Sequence, residues 1–105
     1  MQRVMERHQI EGLDERRRVF NRMADFTRTD KGYTATFFYE GLTFESAAAR
    51  TIEETMRNLI GRLQAAGLSH LRTRLNFRRQ RYLAEREPWL NHPDANSREA
   101  ASGGQ

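Results

Sequence analysis

Gly32–Gly67 reads GYTATFFYEGLTFESAAARTIEETMRNLIGRLQAAG, and its pattern sets the expected fold. Tyr33 to Tyr39 is built from Thr, Phe, Tyr and Ala, a composition that suits a strand. Period-two alternation puts Tyr33, Ala35, Phe37 and Tyr39 on one face and Thr34, Thr36 and Phe38 on the other. Glu40-Gly41 is a two-residue hinge, so Leu42 to Ala48 is expected to return antiparallel, with Leu42, Phe44, Ser46 and Ala48 on one face. The small residues Ala47 to Ala49 predict close packing there. Thr51-Ile52-Glu53-Glu54 is a capping box: Thr51 caps the Glu54 amide and Glu54 reaches back. Two acids in the first turn suit the helix dipole. Ile52, Met56, Leu59, Ile60 and Leu63 then form one apolar stripe, with Arg57, Arg62 and Gln64 off it. Gly67 follows as the C′ residue. Such a helix must bury its stripe on a sheet.

Beyond this centre, Leu71 to Phe77 alternates strictly, with Leu71, Thr73, Leu75 and Phe77 inward and Arg72, Arg74 and Asn76 outward. Arg78-Arg79-Gln80 reads as a turn. Arg81 to Glu87 reads as a last strand, with a helix over 79–86 as the competing reading because Leu, Ala, Glu and Arg are good helix formers. Pro88-Trp89 ends either one. From His92 to Gln105 the composition is that of a disordered tail. On the N-terminal side, residues 2–26 lack Pro and are rich in Glu, Arg, Gln and Met, with Leu13, Phe20, Met23 and Phe26 recurring, which predicts a helix. Gly12 suggests a break and Asp14 a cap for a second helix to about Phe26. Thr27 to Gly32 is a turn. The expected chain is therefore α+β, with an N-terminal helical segment over 1–30, a ββαββ core over 31–91 and a tail over 92–105. In the core, an antiparallel sheet packs on one central amphipathic helix and leaves its second face open.

The chain has 105 residues, no cysteine and a formal net charge of +4. That length holds one small domain rather than an enzyme with a separate cofactor fold. The lack of Cys excludes a disulfide framework, a Cys-ligated metal site and a thiol nucleophile. The charged Met1 to Arg7 stretch does not resemble a signal peptide, and the expected location is cytoplasmic. Seventeen of the 18 basic residues are Arg, Lys31 being the exception. The excess is local: residues 71–86 carry Arg72, Arg74, Arg78, Arg79, Arg81 and Arg86 against Glu85 alone.

No motif for catalysis is present. His8, His70 and His92 fall in no metal-ligand spacing and read as surface residues, so neither a metal nor a cofactor is expected. Glu85 and Glu87 sit beside Arg81 and Arg86 and read as a salt-laced surface; only a pocket gathering Glu85, His70 and Tyr82 would point to an enzyme. Lys31 to Phe38 echoes in part an RNA-recognition signature, with Thr34 and Ala35 in place of its Gly/Ala and stacking Phe. The strongest functional signal is the row Arg72, Arg74, Arg78, Arg79 and Arg81. Alternate residues on a strand stand about 6.6 Å apart, a spacing that suits phosphates along a nucleic-acid strand. It equally suits the carboxylates of an acidic protein partner. Trp89 and Tyr82, near the end of the core, are the candidate protein-interface residues.

The stretch Gly32 to Gly67 also resembles the HicB-like antitoxins. The resemblance rests on Gly32-Tyr33-Thr34-Ala35 at a strand start, the turn Glu40-Gly41-Leu42-Thr43-Phe44, then Thr51-Ile52-Glu53-Glu54 and Asn58-Leu59 in the helix. It implies a partial ribonuclease H sheet, neutralisation of a small RNA-cleaving toxin, and dimerisation. The family's Pro-Gly-Cys segment and C-terminal DNA-binding region have no counterpart here. Two functions are thus expected: a non-enzymatic module that binds a protein partner or itself, or a nucleic-acid-binding module using residues 72–81. Neither involves a membrane or a small-molecule substrate.

Overall fold

A computed structural model describes residues 3–79 and 81–94. The first thirty residues correct the expected helix. They form two long strands, β1 (Val4–Leu13) and β2 (Val19–Thr29), paired antiparallel. The hairpin continues through β3 (Gly32–Tyr39) and β4 (Leu42–Glu45), then α1 (Ile52–Ala65) and β5 (Ser69–Arg78). Two short strands follow, β6 (Arg81–Tyr82) and β7 (Leu90–Asn91). All described pairings are antiparallel, in the order β4-β3-β2-β1-β5-β6, with β7 also on β5. The described residues are thus mostly antiparallel sheet with one helix, not an N-terminal helix followed by a ββαββ core. β1, expected to be helical, is the middle strand, joined to β2 on one side and β5 on the other.

Helix-forming composition lost to tertiary pairing at this point. Gln9 and Glu11 of β1 stand opposite Arg74 and Arg72 of β5, so its polar residues are satisfied across strands rather than along a helix. Its Ile10, with Phe20, Ala24 and Phe26 of β2, enters the core. Asp14 does not cap a helix. Its carboxylate accepts from the amides of Arg16 and Arg18 at 2.8 and 2.9 Å, closing the β1–β2 turn.

The centre follows its sequence pattern, except that the return strand expected over Leu42 to Ala48 stops at Glu45. Ala35, Phe37 and Tyr39 of β3 are buried while Phe38 is exposed. Glu40 and Gly41 both take positive φ, 50° and 77°, as a type I′ hairpin turn requires. Thr51 caps α1 by accepting from the Glu54 amide at 3.1 Å, and Met56, Leu59, Ile60 and Leu63 are buried. The helix covers one sheet face, where Leu68 and Leu71 complete the core.

The C-terminal part is bound rather than loose as far as it is described. Beyond β6 the chain is neither the strand expected over 81–87 nor the helix expected over 79–86. It returns along β5: Leu90 and Asn91 pair with Thr73 and Arg72, and the His92 amide donates to Leu71 O at 2.9 Å. Gln64 holds Pro93 O at 2.8 Å and Asp94 accepts from the His70 amide at 2.8 Å. So residues 92–94, expected in a disordered tail, are anchored; 95–105 lie outside the described residues. Among the described residues no helix is long and apolar enough to cross a membrane.

Candidate functional sites

The helix-free face of the sheet carries part of the arginine row. Arg72 pairs with Glu11, and the Arg74 Nε donates to Gln9 at 2.6 Å. Over both lies Trp89, its ring 4.6 Å from the Arg72 guanidinium carbon and 4.3 Å from that of Arg74. Cation–π stacking with two planar guanidiniums fixes the half-buried Trp and covers the row. Farther along, Arg7 forms an ion pair with Asp25 at 3.1 Å and donates to the Tyr82 hydroxyl at 3.0 Å. Phe77 stands beside them, edge-on to Tyr82 and under Arg7.

That position of Phe77 departs from its alternation. The β1–β5 ladder shifts register between Arg7 and His8, so Phe77, opposite Arg7, joins the helix-free face. A bulge moves every later side chain to the other face. Arg78 consequently lines the cavity on the helix side, with its Nε donating to Glu6 at 3.1 Å. Arg79 and Arg81 are exposed at the β5–β6 turn, Arg79 with a φ of 54°. Of the five arginines expected to act together, Arg72 and Arg74 share the helix-free face, where Glu11 neutralises Arg72 and Arg74 bonds the uncharged Gln9.

Met23 and Phe38 continue the β2–β3 register beyond the Ala24–Phe37 pair on the helix-free face. Phe38 is 61% exposed and Met23 36%, and Val19, 81% exposed, is on the same side of β2. Thr43 stands opposite Phe38, while Asn76 reaches Met23 from β5. No other described element pairs with or packs over these residues.

On the helix side, a cavity of about 490 Å³ opens between α1, β5 and residues 87–92. It gathers two histidines that their sequence separation gave no reason to join. His8 is largely enclosed, its ring 4.8 Å from that of Phe26 and its Nε2 2.8 Å from Glu6 Oε1. Burial would raise the Glu6 carboxyl, but the hydrogen bonds and charges of His8 and Arg78 outweigh it and hold the pKa below the usual value. His92 Nε2 lies 2.8 Å from Thr73 Oγ1, and burial, with the nearby His8, pushes its pKa down. These two histidines therefore line a cavity rather than an open surface. Tyr82 and Glu85 are exposed elsewhere, and neither they nor His70 lines it. Among the described residues no group of three or more His, Asp or Glu is arranged to hold a metal ion.

Comparison with protein-family models, with curated proteins and with solved structures finds no match for this chain.

Proposed function

We propose that this chain is a non-enzymatic binding module that docks a protein surface, a second copy of itself foremost, on the helix-free face of its sheet. The observation that carries the reading is the exposure of Met23 and Phe38, both on the helix-free face, which Trp89 covers at Arg72 and Arg74. An exposed apolar cluster bordered by polar residues is the anatomy of an interface centre, with the ion pairs Arg72–Glu11 and Arg7–Asp25 as its rim. Self-pairing of those arginines also favours a protein over a nucleic acid: a phosphate backbone would have to displace Glu11, Asp25 and Trp89 before each contact. The narrower antitoxin-like reading rests on the resemblance of residues 32–67 alone.

Light scattering after gel filtration, from about 10 µM to about 1 mM, tests self-association in the range of weak dimers. We expect mass to rise toward a dimer, and Met23→Asp/Phe38→Asp to remain monomeric with an unchanged circular dichroism spectrum. A wild-type chain that stays monomeric throughout overturns the dimer. Titration with single- and double-stranded DNA and RNA at low and high salt is the companion experiment. Binding that weakens steeply with salt and is lost in Arg72→Ala/Arg74→Ala/Arg79→Ala would replace the protein-binding reading by the nucleic-acid one.

A further inference from the structure

The helix-side cavity plays no part in docking on the opposite face, and its lining has a definite chemistry. Ile52, Met56, Leu75, Pro88 and Leu90 give it an apolar interior. Glu53 and Glu87 add two negative charges, and Arg57, Arg74 and Arg78 three positive ones. Among the described residues, Glu53, Arg57 and Glu87 enter no ion pair, and Arg78 is engaged by Glu6 only through its Nε. Opposite charges thus border one apolar space without neutralising one another.

Their placement on α1 narrows the ligand. Ile52 and Met56 stand four positions apart, as do Glu53 and Arg57, so two adjacent i,i+4 pairs face the same cavity, one apolar and one charged. Neighbouring residues on a helix at this spacing have Cβ atoms about 6 Å apart. A carboxylate and a guanidinium so placed can each reach one end of a molecule whose own opposite charges are adjacent. A ligand carrying only an acid would leave Glu53 and Glu87 facing it, and one carrying only an amine would face Arg57 and Arg78. Cavities of a few hundred Å³ are of the size that encloses small ligands.

We propose that this cavity binds a small zwitterion with an apolar body, an apolar α-amino acid. The ammonium is held by Glu53, the carboxylate by Arg57 with Arg78 across the cavity, and the side chain lies on Met56, Leu75 and Leu90.

The test is a ¹H–¹⁵N correlation titration of the whole chain with L-phenylalanine, L-leucine and L-methionine. The comparison ligands are 3-phenylpropionate, which lacks the ammonium, and phenethylamine, which lacks the carboxylate. We expect saturable shifts at residues 52–57, 75, 78 and 87–92 with at least one amino acid, at a Kd between about 10 µM and a few millimolar. Each single-charge analogue should bind at least about tenfold more weakly, the loss expected when one charged partner is left unmatched. Glu53→Gln and Arg57→Gln, at exposed helix positions, should each weaken the amino acid by a similar factor, while Arg57→Gln does not weaken phenethylamine. No saturable shift with any of the three amino acids up to about 20 mM, shifts elsewhere in the chain, or a single-charge analogue that binds as tightly as phenylalanine would each overturn the proposal.

Discussion

Replacing Gly12 by Ala tests the fold through the sign of a stability change. Were Gly12 in the interior of a helix, Gly12→Ala would stabilise the chain by about 1 kcal/mol, because Gly is the poorest helix former after Pro. In the sheet Gly12 lies in β1 opposite Phe20, beside a register shift in the β1–β5 ladder. A Cβ added there would lie 2.6 Å from Ser69 O, 3.2 Å from His70 O and 2.9 Å from Leu71 Cδ2. The leucine tip can rotate aside, but the two carbonyls belong to β5 and yield only if the ladder shifts. Overpacking of this kind costs about 1–3 kcal/mol. Restricting the unfolded chain returns about 0.4–1 kcal/mol. The net expectation is a loss of about 1–2 kcal/mol. With a urea m-value of about 1–1.5 kcal/mol/M for a small domain, the midpoint falls by about 1 M. Thermal unfolding drops by about 4–8 °C per kcal/mol. A Gly12→Ala midpoint equal to or above wild type would refute the strand assignment and the close approach of β1 to β5.

The remaining predictions concern the two groups that close the ends of the sheet. Asp14, buried between the Tyr39 hydroxyl at 2.6 Å and the Arg18 Nε at 2.8 Å, has its pKa pushed well below the carboxylate range, first by the Tyr39 hydrogen bond. A carboxyl depressed in the folded state adds stability that is complete above its ordinary pKa of about 3.9 and is lost as pH falls below it. Thermal midpoints measured from pH 7 to pH 2 should therefore fall more steeply for wild type than for Asp14→Asn, which should start lower at pH 7; parallel curves would disprove the role of the charge. Trp89→Ala removes the cover over Arg72 and Arg74 and loosens the return of residues 83–92 along β5. Trypsin should then cleave after Arg86 several-fold faster than in wild type, and unchanged cleavage kinetics would show that the stacking contributes nothing to holding this segment.

The local centre of the fold is legible in the sequence. Thr51 and Glu54 mark the start of α1 because a helix leaves its first amides without partners and a Thr side chain supplies one. Alternation marks β3 and most of β5 because the pleat sends successive side chains to opposite faces. Neither signal reaches Phe77 and Arg78, since one register shift exchanges their faces and leaves no trace in composition. The cavity was hidden for a related reason. His8, Thr73 and His92 come from three segments brought together by the pairing of β5 with β1 on one side and with the returning chain at β7.

By itself the sequence determined the turn at Glu40-Gly41, the cap and apolar stripe of α1, and the concentration of arginine in residues 71–86. Each is a matter of neighbouring residues, whose backbone preferences and spacing act without the rest of the chain. Tertiary structure decided that Val4–Leu13 and Val19–Thr29 are strands and that the arginines are divided between two faces, with Trp89 covering part of the row. Glu, Gln and Arg favour a helix by small increments per residue. Pairing β1 between β2 and β5 satisfies two rows of backbone groups and buries Ile10, Phe20 and Phe26 together, a gain no isolated helix of this composition can match.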